Sequence, residues 1–115
     1  MRGSNYVYVG HYTDIDGNYI LKVGTTNNIR RRTCEHTAAY KEKKKYQMPK
    51  DGQFVMDWYR PVSYKNSIKT EDRTRARWKD EGIGQFIPKD RFNCGATPPH
   101  QVKVKIRKEW IVDLS

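Results

Sequence analysis

Little in this sequence suits a secreted or membrane-bound protein. The chain has two cysteines, too few for the disulfide framework of a small secreted protein. Its apolar share is 36%, and no apolar run approaches the length of a signal peptide or a transmembrane helix. No helix with a clear apolar face, which a binder of acidic membranes requires, is evident. We therefore expect a soluble, cytoplasmic protein without a membrane partner.

The cysteines also fit poorly with a metal site. Cys34 with His36, or Cys94 with His100, would supply the ligands of a zinc ion, but their spacing matches no standard knuckle. Unpaired thiols in a reducing compartment are the simpler interpretation.

Acidic residues are scarce as well. There are 13 of them against 23 Lys plus Arg, which gives a net charge of +10. Such an excess on a small chain predicts a polyanion as partner, because each phosphate contact releases condensed counterions. Aromatic residues are frequent, with eight Tyr, three Trp and three Phe, and this density argues against disorder. The length predicts a single domain over residues 1–115.

The clearest pattern is a hairpin near the start of the chain. Val7 and Val9 alternate with other residues at the period of a half-buried strand. Residues 14–18 contain Asp-Gly and Asn, which tolerate the positive φ of a tight turn. Residues 19–23 are then predicted to form the returning strand.

A basic helix is predicted directly after this hairpin, from about Asn28 to Tyr40. Asn27 or Asn28 is suitable to cap its first exposed amides. Arg32 and His36 lie one turn apart on it, so their side chains point in the same direction.

This arrangement resembles the GIY-YIG nuclease family, most strongly over residues 6–80. The Tyr-Val-Tyr segment 6–8 stands for the first motif of the family, and the Lys-Val-Gly segment 22–24 stands for the second. Arg32 follows ten positions after the start of the second motif, where the resemblance implies a catalytic arginine. The second motif has Lys instead of Tyr, a variant found in some phage endonucleases and type II restriction enzymes of this family.

The resemblance implies a metal-dependent endonuclease that hydrolyses phosphodiester bonds of double-stranded DNA. Tyr8 would be the general base beside the attacking water, with Tyr12 as the alternative tyrosine. Arg32 would hold the non-bridging oxygens of the phosphate, for which its bidentate fork is suited. His36 would either orient Tyr8 or carry a proton. A glutamate on a later helix would hold one Mg²⁺ or Mn²⁺ ion.

Lys22 has two interpretations. A neutral Lys22 could accept the proton of Tyr8 in a relay, because a neighbouring arginine and metal ion disfavour the ammonium form. Otherwise it contacts a backbone phosphate.

The second helix is predicted over residues 66–80, and four acids lie on it or directly after it: Glu71, Asp72, Asp80 and Glu81. At about 100° per residue, Glu71 lies between Ile68 and Trp78, the two large apolar residues expected to face the core. We therefore expect Glu71 to be the metal ligand. The alternative is an exposed pair with Arg75.

The remaining segments complete a predicted α+β fold: a small GIY-YIG-like domain with an antiparallel three-stranded sheet, flanking helices and an additional C-terminal strand. Residues 54–59 are the third strand, and 83–93 are mixed loop. Residues 102–107 alternate as the C-terminal strand. The apolar tail 110–114 either packs on the sheet or forms a homo-oligomer. The resemblance implies a supporting role for Asn93.

Several basic residues are candidates for contacts with DNA: Arg30, Arg31, Lys43, Lys44 and Lys45. A solvated helix end is the simpler interpretation of any single lysine among them. The rival functions are a non-catalytic DNA- or RNA-binding protein and a small ribosome-associated protein, both of which the charge also suits.

Overall fold

The computed structural model describes residues 5–88, 91–102 and 104–112. Its strands and α-helices, in chain order, are β1 (Asn5–Thr13), β2 (Tyr19–Thr26), α1 (Ile29–Glu42), β3 (Val55–Val62), α2 (Ser67–Glu81), β4 (Gln85–Ile87) and β5 (Arg91–Asn93). The strands form an antiparallel sheet in the order β3-β1-β2-β5-β4. The predicted α+β class and the antiparallel sheet flanked by helices are therefore confirmed.

The turn between β1 and β2 is held by the side chain of Asp14. Its Oδ1 atom accepts hydrogen bonds from the backbone N–H groups of Asp16 and Asn18, both at 2.9 Å. Gly17 adopts a φ of 83°, which glycine tolerates without strain. The hairpin predicted from these residue types is confirmed.

The two faces of the sheet carry different cores because successive side chains of a strand alternate. Val7, Val9 and Leu21 belong to one cluster, which also contains Trp78 of α2. Tyr8, Tyr12 and Ile20 belong to the other, which also contains Tyr40 of α1. The helices thus cover opposite faces, and α1 covers the face that carries Tyr8.

Two expectations for the second half of the chain were wrong. Residues expected to be mixed loop include the two three-residue strands β4 and β5, which extend the sheet beyond β2. Of the predicted C-terminal strand, the described residues 102 and 104–107 belong to no strand. Apolar residues alternate in this segment because Val104 and Ile106 both fill the core cluster that contains Trp78. The backbone carbonyl of Ile106 accepts a hydrogen bond from the Nε atom of Arg60 at 2.8 Å. Lys103, also in the predicted strand, lies outside the described residues.

The apolar tail packs on the sheet, which was one of its two predicted alternatives. Trp110 and Ile111 are 3% and 8% exposed and join the core cluster of Trp78. The backbone N–H of Val112 donates to the Thr70 hydroxyl at 3.0 Å. Leu114 lies outside the described residues, and self-association stays a prediction.

No helix within the described ranges has the combination of length and apolar character that crossing a membrane requires.

Candidate active site

Tyr8 is positioned by the pairing of β1 with β2. Its Cα partner across the hairpin is Gly24. The tyrosine ring leans across this glycine, so that a Cβ atom at position 24 would lie 2.5 Å from the Tyr8 hydroxyl oxygen. Glycine is therefore needed at position 24 so that the Tyr8 ring can lie close to the backbone of β2. The glycine of the second motif has a steric explanation.

Helix α1 brings a histidine onto the same tyrosine. The helix begins after Asn28, whose side chain accepts from the backbone N–H of Arg31 at 2.9 Å. Two turns later, His36 is buried with its Nε2 atom 2.5 Å from the Tyr8 hydroxyl oxygen. The imidazole also stacks on Tyr40, with ring centroids 5.2 Å apart. Tyr8 and His36 are thus a preformed hydrogen-bonded pair.

The protonation state of this pair follows from its environment. The pKa of His36 is lowered to about 3, chiefly by burial and in addition by the positive charges of Arg32 and Lys22. Burial also raises the pKa of Tyr8 to about 12, although Arg32 opposes this shift. At neutral pH the Tyr8 hydroxyl therefore stays protonated and donates a hydrogen bond to Nε2 of His36. The imidazole is neutral and carries its own proton on Nδ1.

Arg32 lies at the open side of the pair. Its guanidinium interacts with the Tyr8 hydroxyl, and its Nη1 atom donates to Glu35 at 3.0 Å. Its Nε atom is buried and has no hydrogen-bond partner among the residues that the structure describes. The side chain is partly exposed. It is therefore accessible to an anion that approaches Tyr8.

Lys22 shares a sheet face with Tyr8. It lies two positions before Gly24 on β2, so its side chain points to the face of the sheet that α1 covers. Its positive charge contributes to the lowered pKa of His36. The side chain is partly exposed. Lys22 and Arg32 thus place two positive charges near the Tyr8–His36 pair.

Glu71 approaches the same region from α2. Its carboxylate is 16% exposed, and its negative charge contributes to the raised pKa of Tyr8. The Oε2 atom accepts from Arg75 Nη2 at 2.6 Å. This ion pair was the predicted alternative to a metal-binding role. It exists, but it is mostly buried.

One expectation about the neighbours of Glu71 on α2 was wrong. Ile68 is 60% exposed and does not face the core. The buried stripe of α2 instead runs through Thr70, Thr74 and Trp78. Threonine fits there because the Thr74 hydroxyl donates to the Thr70 carbonyl at 2.9 Å, which satisfies its polar group inside the core.

A metal ion at Glu71 would be held by a single protein carboxylate. The described ranges contain no group of three or more His, Cys, Asp or Glu side chains that could hold an ion. Mg²⁺ keeps several of its waters and is often bound through one or two carboxylates, so Glu71 alone is compatible with it. The same finding gives the zinc alternative no support.

The other predicted residues lie outside this cluster. Tyr12 is buried, and its hydroxyl accepts from Arg91 instead of contacting His36. The Oδ1 atom of Asn93 accepts from the backbone N–H of Gly95 at 2.8 Å, so this side chain holds a local turn. The predicted DNA-contact residues are all exposed: Arg30, Arg31, Lys43, Lys44 and Lys45.

A pH titration of stability should reveal the neutral state of His36. Its pKa is lower in the folded than in the unfolded protein, so protons bind the unfolded state more strongly between about pH 6.5 and 3. The contribution of His36 to stability should be complete above pH 6.5 and fall by about 1.4 kcal/mol per pH unit below it.

Urea unfolding of wild type and His36→Gln at several pH values measures this effect. The variant should be less stable at pH 7, and the gap should narrow as the pH falls. The exposed His100→Gln is the control. A gap that stays constant from pH 7 to pH 4 would show that the fold does not hold His36 neutral.

These features define a small, basic α+β domain with a five-stranded antiparallel sheet and two α-helices. The chain belongs to the T5orf172 domain family, whose model matches residues 5–112. This is a phage-associated domain linked to nuclease-like proteins. Comparison with curated proteins and with solved structures gave no match.

Proposed function

We propose that this protein is a metal-dependent endonuclease of the GIY-YIG type that hydrolyses phosphodiester bonds in double-stranded DNA. The observation that carries the proposal is the hydrogen-bonded pair of Tyr8 and His36. The hydrogen bond to Nε2 fixes the direction of the Tyr8 hydroxyl proton and leaves an oxygen lone pair that can accept from a water. Beside the pair lies Arg32, a group that can stabilise a phosphate.

The proposed reaction gives each side chain one task. The Tyr8 oxygen takes a proton from the attacking water as its own proton shifts to Nε2 of His36. The negative charge of the bound phosphate favours this shift by offsetting the cations that lower the pKa of His36. Arg32 donates hydrogen bonds to the non-bridging oxygens, where negative charge increases in the transition state. Glu71 holds the Mg²⁺ or Mn²⁺ ion, which supplies charge stabilisation for the phosphate and the leaving oxygen.

Incubation of supercoiled plasmid with the protein tests this proposal directly. Nicked or linear DNA should form in the presence of Mg²⁺ or Mn²⁺ and should not form with EDTA. Binding without cleavage under all of these conditions would favour the rival function, a non-catalytic DNA- or RNA-binding protein. Preference for structured RNA over duplex DNA in a salt titration would favour a ribosome-associated role.

The role of Lys22 is open between a proton relay and a phosphate contact. His36 is already the hydrogen-bond acceptor of Tyr8, which favours the phosphate contact. Replacing Lys22 with Met should then raise KM by about tenfold and change kcat little. Steady-state kinetics measure this, with the exposed Lys105→Met as control. Loss of cleavage at saturating DNA would instead identify Lys22 as part of the relay.

A further inference from the structure

A second arginine lies beside the proposed site, on a strand that the sequence did not predict. Arg91 of β5 is the Cα partner of Lys22 of β2. Directly paired residues of antiparallel strands point to the same face, so Arg91 shares the face of Tyr8. Two cations in direct register repel each other. An anion bound across both would offset this repulsion.

Aromatic residues hold Arg91 in position. Its guanidinium carbon lies 4.6 Å from the ring centroid of Tyr46, and its Nη1 atom donates to the Tyr12 hydroxyl at 3.3 Å. Its Nε atom is buried without a hydrogen-bond partner among the described residues. The contacts of Arg91 are thus with two tyrosines and with no carboxylate in the described ranges.

Such a side chain is prepared for a ligand. The ring of Tyr46 restricts the guanidinium without neutralising it, so less conformational freedom is lost when an anion binds. The side chain is only partly buried. A phosphate can therefore reach its donors.

We propose that Arg91 and Lys22 bind a backbone phosphate adjacent to the one that is cleaved. From ordinary strand spacings, the Cα atom of Arg91 is about 8 Å from that of Gly24, beneath the Tyr8 hydroxyl. Arg91 is thus a positioning residue that fixes the register of the DNA strand over Tyr8. This inference rests on the proposed nuclease function.

Salt-dependent binding to a short duplex in EDTA measures the contact without cleavage. The slope of log K against log salt concentration is negative, and removing one phosphate contact reduces its magnitude by about 0.9. Arg91→Gln should show this decrease and bind about tenfold more weakly at low salt. The matched control is Arg107→Gln, because Arg107 also lies over an aromatic ring, that of Trp110, 5.6 Å from its centroid. Its slope should stay that of wild type.

A second measurement identifies the phosphate. Duplexes centred on a mapped cleavage position carry one neutral methylphosphonate at each backbone position in turn. The affinity lost in Arg91→Gln should disappear when the substituted position is the one that Arg91 contacts, a neighbour of the cleaved bond. An equal loss on every duplex, together with an unchanged salt slope, would make Arg91 a purely structural residue.

Two further variants separate the loss of the phosphate contact from a general loss of structure. Arg91→Lys keeps the charge without the planar fork, and Tyr46→Ala removes the ring beneath it. Both should keep a salt slope between those of wild type and Arg91→Gln. If wild type binds DNA with the Arg91-dependent slope but never cuts, the nuclease proposal fails alone. Cleavage without any slope change in these variants overturns the Arg91 proposal alone.

Discussion

Replacing Glu71 with Gln should abolish DNA cleavage while DNA binding is kept or becomes slightly tighter. The amide keeps the size of the side chain and can still accept from Arg75, which lies 2.6 Å away. It lacks the charge that attracts a divalent cation. Losing several kcal/mol of charge stabilisation at the phosphate lowers the rate by on the order of 10³-fold.

The matched control for this variant is Asp72→Asn. Asp72 is the next residue on α2 and also pairs with Arg75, at 2.9 Å, but its side chain is 62% exposed. Its substitution removes the same charge and should leave cleavage within a fewfold of wild type. Plasmid nicking rates at saturating DNA compare the two. If the two variants cut equally well, Glu71 is not the metal ligand.

Tyr8→Phe is expected to have an effect of similar size on the rate. The variant removes the hydroxyl that takes the proton from water, and general base catalysis contributes about 10² to 10⁴-fold. It also leaves the buried Nε2 atom of His36 without its donor, at a cost of about 1–3 kcal/mol in stability. DNA affinity should change little.

Tyr12→Phe separates these two effects. Tyr12 lies on the same face of β1, is equally buried and also loses one hydrogen bond on substitution, that to Arg91. We expect lower stability but cleavage within about tenfold of wild type. Single-turnover rates together with thermal unfolding compare the variants. If Tyr12→Phe were as inactive as Tyr8→Phe, Tyr12 would be the general base instead of Tyr8.

The first half of the fold could be predicted from local patterns. The alternation around Val7 and Val9, the Asp-Gly turn and an asparagine cap before the first helix are each specified within a few residues. The structure has all three, with Asn28 as the cap. The helical spacing of Arg32 and His36 also anticipated a shared direction. These signals are local, so they need no knowledge of the tertiary packing.

The errors arose where tertiary contacts decide. The alternation of Val104 and Ile106 looks like a strand, yet these residues fill the core from a segment outside the sheet. Strand β5 is three residues long, too short for its period to be recognised, and so Arg91 was missed. Ile68 was expected to be buried because it is apolar, but buried threonines with satisfied hydroxyls occupy the stripe instead.

The close approach of Tyr8 to Gly24 has a consequence for comparing natural variants. Because a Cβ atom at position 24 would collide with the tyrosine ring, position 24 cannot gain a side chain while position 8 keeps its tyrosine. A homologue with alanine at position 24 should carry a smaller residue at position 8, and with it would lack the hydroxyl. This pair of positions is therefore a simple criterion for sorting sequences into those that keep the tyrosine chemistry and those that have lost it.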